Sequence, residues 1–267
     1  MTWAALDPSI LGPAFVAGLL VLLTHVPLGM QVLQRGIVFI DLAIAQIAGI
    51  GVIAADALGW ATSGWAGQAA AAAAALGGAL LLTWTERRWP EIQEALIGVS
   101  FVLASCLGLL LLASNPHGGE HLKDLLVGQI LWVTPAQLGV MAGLTLPIGV
   151  LWAVAGERLG RLGFYLLFAL AVTASVQLVG VYLVFASLIL PALATRRQRG
   201  RRRMGVALGL GAAAYALGLA LSALLDAPSG AVVVLVMAAL AALVAALVAR
   251  RPAADANRQP LPASGGR

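Results

Sequence analysis

Charge is scarce in this chain: only 10% of its 267 residues are Asp, Glu, Lys or Arg, against 61% hydrophobic, and its mean hydropathy is +0.97. That balance excludes a soluble globular domain and predicts an all-α, polytopic transmembrane bundle, because lipid leaves the backbone no partners outside a helix or a closed barrel. Cysteine is almost absent. Cys106 stands alone in an apolar run, so no internal disulfide can form. There is no glycine-rich phosphate loop with its lysine, so nucleotide hydrolysis by the chain itself is not expected. Met1 to Ser9 has no basic leader, and the apolar run after it is expected to be a retained span, not a cleaved signal.

The charge that is present gathers at a few points. A formal net charge of +5 comes largely from Arg-Arg-Gln-Arg-Gly-Arg-Arg-Arg at 196–203 and from Arg87, Arg88, Arg250 and Arg251. At the ends of apolar runs such clusters report topology, and a nucleic-acid partner is not expected. Spans are expected at 9–33, broken by Pro27, then at 36–59, 65–84 and 91–113. A fifth at 135–155 opens on Thr134-Pro135-Ala136-Gln137, with a hydroxyl at the cap, proline at the first position and an amide three after the cap. Residues 162–195, about 34 in number, are too many for one upright span and barely enough for two. They are flanked by arginine at both ends, so the chain must go across and return, bending near Gln177–Gly180. Spans at 204–225 and 229–249, joined by Asp226-Ala227-Pro228-Ser229-Gly230, complete about eight to nine segments. The transmembrane domain is expected to be 1–251 and the Pro/Ala/Gly-rich stretch 252–267 a disordered cytoplasmic tail. With arginines kept inside, the amino terminus lies outside and the carboxyl terminus inside.

Polar side chains within the apolar runs point to function. Asp41 is expensive in hydrocarbon and is a functional residue by default; if its helix starts near Gly36, it lies about 10 Å from the turn. Small residues follow it at Ala43, Ala45, Ala48, Gly49 and Gly51, which would let a second helix approach closely. His25 precedes the same turn and reaches a similar depth, so the pair could be an ion site, a proton relay or a buried contact. Gln46 lies about 140° around the helix from Asp41. Between the fourth and fifth spans, His117, Glu120, His121 and Asp124 place two imidazoles and two carboxylates in eight positions, a donor mixture suited to zinc or manganese. The alternative is a polar loop capping a helix or meeting lipid headgroups. His117-Gly-Gly-Glu120-His121 also fits a zinc-hydrolase motif, but that motif needs one continuous helix, and Pro116, Gly118 and Gly119 argue for a loop.

Five stretches in order resemble the membrane subunit of the metal-type ABC importers for zinc, manganese and iron. They are Arg-Gly-x-x-Phe-x-Asp at 35–41, Leu-x-Gly-x-x-x-x-x at 96–103, Val-Gly-Gln-Ile-Leu-Trp-Val-Thr-Pro at 127–135, Val-Gly-Val-Tyr-Leu-Val at 179–184 running on to Leu-Ile-Leu-Pro-Ala at 188–192, and Asp-x-Pro-x-Gly at 226–230. The resemblance implies a multi-pass permease of the inner (plasma) membrane, a homodimer around a central path, cytoplasmic ATP-binding subunits, and an extracytoplasmic metal-binding protein. The transported ion, zinc or manganese, would be cargo, with no permanently bound cofactor. Asp41 matches the family's pathway acid. The histidine four residues beyond it is Ala45 here, with Gln46 the only polar substitute. The family's longer cytoplasmic stretch is shortened to 156–163, leaving Glu157, Arg158 and Arg161 as the expected ATPase-coupling contacts. Two other classes are a membrane-embedded zinc-dependent hydrolase using His117, Glu120 and His121, and a non-metal ABC export or scaffold subunit.

Overall fold

The computed structural model describes residues 7–57, 65–112, 128–156 and 158–249, and these form α-helices and short 3-10 turns with no strand among the described residues. In chain order the helices are α1 (Pro8–Arg35), α2 (Ile40–Ala57), α3 (Trp65–Arg88), α4 (Gln93–Leu112), α5 (Pro135–Ala155), α6 (Gly160–Val179), α7 (Val181–Ala194), α8 (Gly200–Leu225) and α9 (Ser229–Ala249). Among the described residues seven helical segments are long and apolar enough to cross a membrane, and the 14-residue α7 is shorter than these. The architecture is a polytopic helical bundle. The expected tail, 252–267, lies outside the described residues.

Local signals set the helix ends. Asp7 caps α1 by accepting the Ser9 N–H at 2.8 Å, and Gly36 closes it in the left-handed conformation. The capping box expected for α5 is present: Gln137 N–H donates to Thr134 Oγ1 at 3.3 Å, and Thr134 N–H donates to Gln137 Oε1 at 2.9 Å. Pro27, by contrast, does not break the first span. α1 runs through it for 28 residues, with Val26 and Leu28 buried on either side, because packed neighbours let a membrane helix tolerate one missing hydrogen bond.

The long stretch 162–195 divides at the bend expected near Gln177–Gly180. α6 ends at Val179, and Gly180 turns the chain at φ 80°, ψ 159°, backbone that a side chain resists, before α7 begins. The 3-10 turn Ile130–Trp132 covers this break: Gln129 N–H donates to Leu178 O at 3.0 Å, and Gly128 lies against the backbone of Val179 and Gly180.

α6 is the centre of the bundle, two-thirds buried, whereas α4, α5 and α9 lie at the rim with most of their surface open. α2 packs between α3 and α4, α3 also meets α6, and α1 joins α5, α7 and α8. The small residues of α2 serve this packing. Ala43, Ala45 and Ala48 are buried, and Gly51 sits over the Ala70 carbonyl of α3, so dispersion at short range replaces the hydrophobic drive that lipid does not supply. At the other seam Gly29 of α1 lies directly on the Leu188 carbonyl of α7.

Candidate functional site

α2 begins at Ile40, four residues later than a start at Gly36 would give. Residues 36–39 form the turn after the glycine cap, so Asp41 stands in the first helical turn and not about 10 Å along it. It is nevertheless 1% exposed, and neither carboxylate oxygen has a well-aligned hydrogen-bond partner, the nearest donors being the first-turn N–H groups of Asp41 and Leu42. A buried acceptor left unsatisfied is costly to stability.

Glu94, in the first turn of α4, stands at the turn that opens α2. Its Oε1 accepts the Phe39 N–H at 3.3 Å, and its Oε2 is buried without a partner. Sequence reasoning passed over Glu94. The signal was the one that singled out Asp41, an acid inside an apolar span, but Glu94 stood too close to the span's start to be distinguished from an end residue.

His25 is fully buried and fully engaged. Nδ1 lies 2.9 Å from Val21 O and 3.0 Å from Thr24 Oγ1, while Nε2 lies 3.2 Å from Ser175 Oγ on α6. Since the Val21 carbonyl only accepts, Nδ1 carries the proton, and Nε2 of the neutral ring shares the single Ser175 hydroxyl proton with the Ala171 carbonyl, 2.9 Å from Ser175 Oγ. No hydrogen bond joins His25 to Asp41. His25 lies about 15 Å along α1 from Arg35, whereas Asp41 is one residue into α2, so the later start of α2 removes the matched depth. Gln46 is half-buried and makes no hydrogen bond with the described residues. No group of three or more His, Cys, Asp or Glu able to hold a metal occurs among the described residues. His117, Glu120, His121 and Asp124 lie outside them.

One face of the bundle gathers the arginine-bearing helix ends. The Arg35 guanidinium stacks on the Phe164 ring at 4.3 Å, and Arg161 Nε approaches Glu86 Oε1 at 3.9 Å. Between them Gln93 Nε2 donates to Leu82 O at 3.0 Å and to Tyr165 Oη at 3.2 Å, and Gln93 Oε1 accepts from Thr85 Oγ1 at 3.0 Å. This collar fastens α1, α3, α4 and α6 around the entrance to α2. Arg158, on the connection 156–159 between α5 and α6, and Arg161, in the first turn of α6, are exposed beside it. Glu157 lies outside the described residues.

Comparison with known proteins agrees with this architecture. The ABC 3 transport family matches residues 8–159 and 153–249. An uncharacterized membrane protein of Synechocystis sp. is 30% identical, over 87% of this chain and 88% of its own length. Among solved structures, the chain resembles PsaBC from Streptococcus pneumoniae in complex with Fab, with TM-score 0.71, 20% identity, and coverage of 87% of this chain and 90% of that one. It also resembles a chain in an inward-facing conformation, assigned to the metal-chelate type of ABC transporter, with TM-score 0.66, 18% identity, and coverage of 88% and 85%. At these identities the two structures speak to fold, and both share the helical bundle described above. Taken with the motifs at 35–41, 127–135, 179–192 and 226–230, the match places the chain among multi-pass membrane permeases: it belongs to the ABC 3 transport family.

Proposed function

We propose that the chain is the membrane subunit of an ATP-driven importer for a divalent transition metal, zinc or manganese, working by alternating access between two copies of itself. Cytoplasmic ATP-binding subunits drive the cycle, and an extracytoplasmic metal-binding protein supplies the ion. The observation that supports this reading is Asp41, an acid buried in the bundle with neither oxygen in a well-aligned hydrogen bond, in a chain of the ABC 3 transport family. A carboxylate kept this way takes a proton or a cation for part of its working cycle. The conformation seen is closed over it, so access comes with a change in packing. His117, Glu120, His121 and Asp124 act as a collecting site at the outer end, and Arg158 and Arg161, with Glu157, meet the ATPase.

Radioactive zinc and manganese uptake by cells carrying the full transporter tests the reading. Asp41→Asn is expected to abolish uptake with the chain still present in the membrane; uptake at the wild-type rate overturns the pathway. Replacing His117 and His121 by alanine is expected to reduce uptake at low metal far more than at high metal. Equal loss at both concentrations rejects the collecting role.

A further inference from the structure

We propose that Glu94 is the second carboxylate of the transit site, and that Asp41 and Glu94 hold the passing ion through oxygen alone, which favours a hard divalent cation of the manganese kind over zinc. The inference rests on the reading that Asp41 lies on the ion path.

Three buried carboxylate oxygens, both of Asp41 and Oε2 of Glu94, have no well-aligned hydrogen-bond partner. The remaining oxygen of Glu94 accepts the Phe39 N–H, which pins Glu94 to the turn opening α2, two residues before Asp41. Neither acid forms an ion pair with an arginine among the described residues; the pair found there joins Arg161 to Glu86. Glu94 is half-buried and tied to the turn two residues before Asp41, and two carboxylates brought near each other repel unless a shared proton or cation lets both stay. Among the described residues no imidazole is free for the place. Position 45 is a buried alanine, and His25, the sole histidine among the described residues, gives its Nε2 to Ser175. Carboxylate, carbonyl and water oxygens suit manganese, while imidazole and thiolate draw zinc. An oxygen-only site also binds weakly enough for the ion to leave, as passage requires. The site lies where α2 and α4 both begin, so it can open when these two helix starts part.

The test compares radioactive manganese and zinc uptake by cells that lack their own copy and carry the full chain with its partner subunits, at equal amounts of chain in the membrane. Glu94→Gln keeps an amide oxygen for the Phe39 N–H but removes the charge, so a mere turn cap survives it. It is expected to lower manganese uptake about tenfold or more, with Glu94→Asp retaining part of it. Glu94→His supplies an imidazole and is expected to raise the zinc-to-manganese uptake ratio about tenfold. Wild-type uptake in Glu94→Gln, or equal failure of Glu94→Asp and Glu94→Gln, overturns the paired site. If Asp41→Asn then still abolishes uptake, the Asp41 pathway stands without Glu94. An unchanged metal ratio in Glu94→His overturns the oxygen-only selection. Wild-type uptake in both Asp41→Asn and Glu94→Gln overturns the pathway itself, as does absence of uptake by the wild type.

Discussion

The Nε2 of His25 lies 3.2 Å from the Ser175 hydroxyl, which joins α1 to α6 at the buried centre of the bundle. To ligate a metal through that nitrogen, His25 would first have to release Ser175. Ser175→Ala therefore separates a packing role from a ligand role. It leaves a buried ring nitrogen without its partner and is expected to cost about 1–3 kcal/mol, seen as a lower midpoint of thermal unfolding in detergent. The metal concentration giving half-maximal uptake should not change. Tighter metal handling after Ser175→Ala would make His25 a ligand.

Gly29 and Leu188 define how closely α1 and α7 approach. A Cβ at position 29 would strike the Leu188 carbonyl, which belongs to backbone and cannot swing aside. Gly29→Ala is expected to force the two helices apart at a cost of about 1–3 kcal/mol or more. Gly12→Ala, on the same helix with open space around it, is the control and should unfold at the wild-type temperature.

Gly180 holds the break between α6 and α7 at φ 80°, ψ 159°. Any other residue there is strained by on the order of 1–3 kcal/mol. Gly180→Ala is expected to lower the unfolding temperature and also the uptake rate of the chain that remains folded, because it shifts the direction in which α7 leaves. Normal uptake per folded chain would show that the angle at this break is not used in transport.

Arg161 is mostly exposed, and its contact with Glu86 is long at 3.9 Å. Pairs of this kind contribute about 0–1 kcal/mol, so Arg161→Ala should scarcely alter stability. Replacing Arg158 together with Arg161 by alanine is expected to cut ATP-driven uptake at unchanged amounts of folded chain. Retained uptake would move the ATPase contact elsewhere, with the arginines of 196–203 the next surface to test.

Most of the helix order was legible because apolar runs here are punctuated by residues with plain physical meaning. Thr134 and Gln137 announced α5, and the arginines on both sides of 162–195 pointed to a break, which falls on Gly180. Asp41 and the small residues after it were legible for the same reason. What escaped were features that depend on where two separated stretches meet. The start of α2 follows from Gly36 and the turn 36–39, and Glu94 closes that turn from 55 residues away. Ser175, 150 residues from His25, is an ordinary serine in an apolar run until α6 is laid against α1. Pro27 misled because proline's rule is written for helices in water, not for one supported along its length by neighbours.

The Gln129–Leu178 bond fastens the strand of chain leaving the histidine-rich loop onto the discontinuity in the central helix. A displacement of residues 128–132 is thus felt where Gly180 sets the direction in which α7 leaves α6.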